Sequence, residues 1–278
     1  MYGPIRDTLR FPASRAQHID PYLPSTSASA SNRKTPSKPH VTLTFATSLD
    51  SQLSLAPGVQ TVLSGPDSKA MTHYLRSKHD AILIGAGTAV ADDPSLNCRI
   101  EGVGGYGVEG LWGQPRPVVI DPRGRWDVSA QSKVIKLADL RRGRAPWIIT
   151  MKKSEASEEK RMLLESVGGK VLEISGATEQ ASISWSDILE VLAEEGVSSV
   201  MVEGGGAVIN DLLSPSNLEL VDSVIVTIAP VWLGKGGVQV CPDERVESGN
   251  KVPVGRLKDV KWVPLGDDVV LCGYPNRP

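Results

Sequence analysis

The 278-residue chain is 40% hydrophobic and 22% charged, the proportions of a globular protein large enough to bury a sizeable core. Its net charge of −2 gives no electrostatic reason to expect nucleic acid or an anionic membrane as partner. Cys98, Cys241 and Cys272 are isolated and lack CxxC spacing, which offers neither a disulfide framework nor a cysteine zinc site and fits a reducing, cytoplasmic compartment.

The first residues, MYGPIRDTLRFPASR, lack the apolar core of a secretory signal, and no stretch approaches the roughly 20 apolar residues of a membrane helix. Residues 21–39 are rich in Ser and Pro with almost nothing to bury, so residues 1–39 are expected to be a flexible extension ahead of one domain over 40–278. VTLTFAT (41–47) is the first expected strand, and Asp50 follows it. A helix is expected over 67–78 with Asp67 as its cap, then the strand AILIG (81–85). Residues 101–116 hold six glycines and no periodic apolar pattern, and read as a long loop, either a surface insertion or a functional flap.

PVVID (117–121), WIIT (147–150), KVLEI (170–174) and SVMVE (199–203) read as further strands. Helices are expected over 155–167, 185–195 and 206–213, the first two capped by Ser154 and Ser186. This alternation argues for a largely parallel α/β sheet. VDSVIVTIAP (221–230) and VKWVPLGDDVVLCGY (260–274) change the pattern: the latter reads as two strands around a Gly-Asp-Asp turn, adding antiparallel strands at one edge.

Two stretches share one design, a buried strand, then glycines, then a helix start: AILIGAGTAVADDPSLNCR (81–99) and VMVEGGGAVINDLL (200–213). Such junctions present backbone N–H groups and the positive end of a helix, which suits a phosphate. The glycine pattern alone is equally that of tight strand-to-helix turns, because Gly85-Ala86-Gly87 lacks the third glycine of the dinucleotide fingerprint and no acid follows about 20 residues later. His18, His40, His73 and His79 form no zinc signature, and no GxSxG elbow is present. Asp50, Thr88, Asp92, Asp93, Arg99, Asp121 and Glu203 remain as polar residues at strand ends, with Asp93-Pro94 and Asp121-Pro122 open to a simple turn role. Glu203, between an apolar strand and three glycines, should reach into a cleft.

TFATSLDSQLS (44–54), LRSKHDAILIGAGTAVADDPSLNCR (75–99), RPVVIDPRGR (116–125), VMVEGGGAVINDLL (200–213) and VIVTIAPVWLGKGG (224–237), in that order, resemble the riboflavin-pathway reductases. These are the 2,5-diamino-6-ribosylamino-pyrimidinone 5′-phosphate reductases and the reductase half of bacterial deaminase-reductases. The resemblance implies the dihydrofolate reductase fold, a mixed, mostly parallel sheet flanked by helices with antiparallel strands at its C-terminal edge. It implies NADPH as hydride donor, with NADH as the alternative, no metal, a small phosphorylated substrate, and a homodimer. Carried over by position, Thr88, Asp92, Pro122, Gly205, Gly206 and Ala207 would hold the cofactor, and Arg76, Leu96, Arg99 and Glu203 the substrate. Asp50 and Glu203 are both candidates for the proton that imine reduction needs. Where the family often has SLDGKIA or SLDGRTA, this chain has SLDSQLS, with Ser51 in place of glycine and Gln52 in place of a basic residue. Two rival readings are a reductase of another pterin or pyrimidine and a non-catalytic nucleotide-binding protein.

Overall fold

A computed structural model describes residues 8–25, 38–151, 158–174 and 183–276. Eleven strands and six helices matter for the site. The strands are β1 (His40–Thr47), β2 (Gln52–Ser54), β3 (Ala81–Gly85), β4 (Arg116–Ile120), β5 (Trp147–Met151), β6 (Lys170–Ile174), β7 (Ser199–Gly204), β8 (Ser223–Ile228), β9 (Val238–Gln239), β10 (Leu257–Leu265) and β11 (Asp268–Pro275). The helices are α1 (Pro66–Arg76), α2 (Ala86–Asp92), α3 (Lys133–Asp139), α4 (Glu158–Ser166), α5 (Trp185–Glu194) and α6 (Gly206–Leu212).

Nine strands form one sheet in the order β10-β11-β8-β1-β7-β3-β4-β5-β6. All neighbours from β8 to β6 run parallel, whereas β11 is antiparallel to both β8 and β10. This is the mixed, mostly parallel sheet with an antiparallel C-terminal edge that the strand pattern predicts. β8 is interior to the sheet, between β1 and β11, and its SVIVTI run is accordingly buried on both faces.

Strand alternation divides the core. Ala81 and Leu83 of β3 join Val200 and Val202 of β7 beneath Ile188, Leu189 and Leu192 of α5, while Ile82 and Ile84 point to the opposite face with Val134 and Ile135 of α3. A third cluster sits where Met71 and Leu75 of α1 meet Val263, Leu265, Val270 and Cys272 of the β10–β11 hairpin.

Residues 8–25 depart from the flexible extension expected over 1–39. Ala13–Ala16 and Asp20–Tyr22 form short helical turns, and Ile19, Tyr22 and Leu23 are buried in the third cluster. Three apolar side chains spread among prolines and polar residues carry no periodic signature, so composition alone misreads this segment. Residues 26–37 lie outside the described residues.

Two caps also differ. Ser184, not Ser186, caps α5, its hydroxyl accepting from the Asp187 N–H. At α1 the N-cap is Gly65, with Pro66 as the first helical residue and Asp67 in the first turn. Ser154 lies outside the described residues.

His79 couples this fold to pH. Its ring lies buried between α1 and β1, with Nδ1 2.7 Å from the Leu75 carbonyl and Nε2 2.8 Å from the Thr42 hydroxyl. Burial pushes its pKa down from 6.5 to about 4. The folded chain therefore resists a proton that the unfolded chain accepts. Stability is expected to be fully present above about pH 6.5 and to fall as pH drops toward 4, with a slope of at most about 1.4 kcal/mol per pH unit from this group. Denaturant midpoints measured across that range check the slope, and His79→Asn should reduce it.

Candidate active site

The carboxyl ends of β1, β3, β4 and β7 open into one cleft of about 1240 Å3, lined by Phe45 and Ala46, Gly85, Ile120 and Glu203 respectively. Ligands of open α/β sheets sit at such ends. Residues 57–64, between β2 and α1, form one wall, and the start of α6 forms another.

Glu203 owes its position to a bulge. Leu83 of β3 pairs with Val202 of β7, but the next residue, Ile84, pairs with Gly204, leaving Glu203 as the extra residue. A bulge re-aims a side chain, and here the carboxylate turns into the cleft. Gly204 and Gly205 then take left-handed φ values of 86° and 92°, which swing the chain from strand into α6.

Arg76, the last residue of α1, meets this carboxylate in a two-pronged pair. Its Nε donates to Glu203 Oε1 at 2.7 Å and its Nη2 to Oε2 at 2.6 Å, while Nη1 donates to the Asn97 carbonyl at 3.0 Å. Both side chains are mostly buried, at 13% and 17% exposure. Burial disfavours the Arg76 charge, but Glu203 more than offsets it and the guanidinium pKa is raised. Residues 127 positions apart thus form one unit at the cleft floor.

Thr88 joins the two glycine junctions. Its Oγ1 donates to the Gly204 carbonyl at 3.2 Å, and a Cβ on Gly205 would lie 2.5 Å from the same oxygen. A Cβ on Gly206 would lie 2.3 Å from Val238 Cγ1, so that glycine makes room for β9. Gly87 differs: it lines the cleft, and a Cβ there would meet nothing within 4 Å. The N-caps of α2 and α6 are Gly85 and Gly205, which have no side chain to accept the first-turn N–H groups.

Asp92, Pro122, Ala207 and Arg99 also line the cleft. Burial raises the Asp92 pKa, partly opposed by Lys133. Leu96, assigned to the substrate by the resemblance, is not among the residues that line the cleft: its side chain is buried in the second core cluster at φ 51°.

Asp50 stands outside the cleft lining. Its carboxylate accepts from the Ser48 hydroxyl at 2.5 Å and from the N–H groups of Leu233 and Gly234 at 3.1 and 2.7 Å. The Ser48 bond leads in holding this carboxyl below the usual range. Asp50 ties the turn after β1 to the loop after β8. Ser51 in the same turn has φ 59°, which explains the glycine often found there in the resembling family. Asp121 likewise serves a turn, accepting from the N–H groups of Arg125 and Trp126, while Asp93 accepts from the N–H of Lys133 at the start of α3.

Several cleft residues escaped the sequence reading. Lys69, Thr72 and His73 line one face of α1 together with Arg76, already assigned to the substrate by the resemblance, at the i, i+3, i+4, i+7 spacing legible in KAMTHYLR (69–76). Arg125 and Arg142 arrive from separate loops and Lys133 from the first position of α3. With Lys69, Arg76 and Arg99, these six cations face only Asp92 and Glu203 as acids, so the cleft favours anionic ligands. His73 Nδ1 accepts from the Arg99 N–H at 3.1 Å, and burial followed by the charges of Arg76, Arg99 and Lys69 lowers its pKa to about 2. The ring is neutral at physiological pH. Among the described residues, no three His, Cys, Asp or Glu side chains converge as metal ligands.

The family model for the RibD C-terminal domain matches residues 39–271. The chain belongs to the RibD C-terminal domain family. Among its relatives, the 2,5-diamino-6-ribosylamino-4(3H)-pyrimidinone 5′-phosphate reductase of Debaryomyces hansenii is 40% identical over 91% of this chain and 93% of its own length. The protein of the same name in Saccharomyces cerevisiae is 37% identical over 92% and 93%. A solved structure of the Saccharomyces riboflavin biosynthesis reductase superposes with a TM-score of 0.71 at 32% identity, covering 94% of this chain and 98% of that one. RibD of Acinetobacter baumannii, at 22% identity and a TM-score of 0.66 over 87% of this chain and 59% of that one, shares the fold. This RibD C-terminal domain member therefore spans nearly the full length of its fungal relatives.

Proposed function

We propose that this chain reduces the ribosylamino group of 2,5-diamino-6-ribosylamino-4(3H)-pyrimidinone 5′-phosphate to the ribitylamino product in riboflavin biosynthesis, using NADPH. The names of its fungal relatives carry the substrate. The observation that carries the chemistry is the Arg76–Glu203 pair, set between an open glycine junction and a group of cations within one cleft. That layout accommodates two phosphorylated ligands side by side.

The cofactor side fits the residues present. Gly87 leaves open space at the start of α2, and the first-turn N–H groups of α2 and α6 both lack side-chain caps. Thr88, Asp92, Pro122, Gly205, Gly206 and Ala207 would hold NADPH there. When bound, NADPH supplies the hydride for C1′ of the ring-opened imine. The protein's part is positioning: two ligands held in one cleft replace a bimolecular encounter.

On the substrate side, Arg99 and Lys69 offer charge to the sugar phosphate. Arg76 is committed to Glu203, so its work is to orient that carboxylate, whose remaining lone pairs accept from the pyrimidine or ribose. Of the two carboxylates considered for guiding the proton, Glu203 lies in the cleft, whereas Asp50 serves a turn. Anaerobic NADPH oxidation with the diamino substrate and its deaminated counterpart in parallel tests this reading. Faster turnover of the diamino compound is expected, and inertness toward both with intact NADPH binding would remove the substrate assignment. NADH run beside NADPH tests the cofactor.

We also infer a cytoplasmic homodimer. Among the described residues no helix is long and apolar enough to cross a membrane. Trp232, in the loop after β8, is 73% exposed, and edge strand β10 exposes Val260 and Trp262. Light scattering at micromolar concentration should give twice the 29.7 kDa chain mass, and a monomer would refute the pairing.

A further inference from the structure

The segment carrying Arg99 is held at successive backbone groups. Arg76 donates to the Asn97 carbonyl at 3.0 Å. The Gln114 amide accepts from the Cys98 N–H at 2.8 Å and donates to the Cys98 carbonyl at 2.7 Å. The Arg99 N–H is taken by His73 at 3.1 Å. The last clamp comes from the far N-terminus: the Leu9 N–H donates to the Arg99 carbonyl at 2.8 Å, and the Glu101 N–H donates to the Leu9 carbonyl at 2.9 Å. Leu9 thus makes a parallel bridge with Ile100, beside which Arg10 pairs with Glu101.

The clamp is itself anchored. Phe11 packs on Tyr74 of α1 with ring centroids 5.1 Å apart, the Tyr74 hydroxyl donates to Asp20 at 2.5 Å, and Ile19 is fully buried against the same helix and the β10–β11 hairpin. One segment therefore touches two carriers of cationic cleft residues, α1 with Arg76 and residues 97–101 with Arg99. It precedes the matched family domain, which starts at residue 39.

We propose that residues 8–23 are a positioning brace for substrate binding: by fixing the Arg99 backbone from outside the family domain, they set the placement of the Arg99 side chain toward the substrate phosphate. The inference rests on Arg99 as a substrate residue, as argued above. A phosphate contact misplaced by about 1 Å loses much of its worth, whereas the cofactor cradle at α2 and α6 does not touch the brace.

The test is Leu9→Pro in the full-length chain, which deletes the N–H given to Arg99, with Leu9→Val as the conservative control that keeps it. The expected result for Leu9→Pro is a KM for the diamino substrate raised ~10-fold. The NADPH Kd should stay within about twofold and Glu101 amide hydrogen exchange should accelerate. Leu9→Val should match the parent chain. Accelerated exchange with an unchanged KM would overturn the brace, as would equal weakening of both ligands. Arg99→Ala, run in parallel, separates the two ideas: an unchanged substrate KM there removes the Arg99 assignment, while a raised KM there with a normal Leu9→Pro removes only the brace. If Leu9→Pro does not fold, Arg10→Glu, which sets two acids against each other at residue 101, should raise the substrate KM ~3-fold by the same route, and no change would count against the proposal.

Discussion

Replacing Glu203 with Gln is expected to lower kcat/KM for the pyrimidine substrate about 100-fold while leaving the NADPH Kd within about threefold. The glutamine keeps the size of the side chain but turns an amide NH2 toward the Arg76 guanidinium, which offers only donors. The pair then loses one of its two bonds and its charge balance in a setting where both partners are mostly buried. Thermal stability should fall as well, since a buried arginine is left without its counter-charge. The specific signature is therefore the contrast between substrates. Equal losses for substrate and NADPH would mean that Glu203 holds the cleft together generally and has no substrate-side role. Arg76→Met combined with Glu203→Gln should cost barely more than either single change, because two residues that act as one unit do not add.

Gly87→Leu is expected to weaken NADPH binding about 30-fold or more, while leaving the fold as stable as before or slightly more so. The position lies inside the first turn of α2 with ordinary helical geometry, and a Cβ there meets no atom within 4 Å. Leucine favours helix over glycine by several tenths of a kcal/mol. Its branched end then fills the space in front of the first-turn N–H groups. Gly206→Val would be a poorer probe, although its glycine lies in the cleft wall: its Cβ would strike Val238, mixing a packing defect with any loss of binding. Titration of NADPH against the folded Gly87→Leu protein settles the matter, and parent-like affinity would show that no phosphate approaches α2.

The strand and helix pattern carried the sheet because both of its faces are covered: runs such as AILIG (81–85) and VMV (200–202) are apolar at every position and announce themselves without any partner. The glycine junctions, Thr88 and Glu203 were legible for the same local reason, as each sits beside a strand whose end is visible in the sequence. Even the polar face of α1, Lys69 through Arg76, lay in the sequence as a helical period.

What only the tertiary structure decided is which distant residues meet. Arg76 and Glu203 could both be named as substrate residues, but their mutual pairing follows from β7 being inserted between β1 and β3, an ordering no local pattern records. Asp50 left the site because the loop after β8 offers it two N–H groups from about 180 residues away, and Leu96 turned inward because a left-handed φ redirected its side chain into the core. The folding of residues 8–25 has the same origin. Ile19 and Tyr22 are buried by a hairpin near the other end of the chain, and Leu9 finds its strand partner at Ile100. Local sequence sets which elements form, through periodicity and backbone preference. Contacts across long sequence separations are set by topology, and a functional cleft consists largely of such contacts.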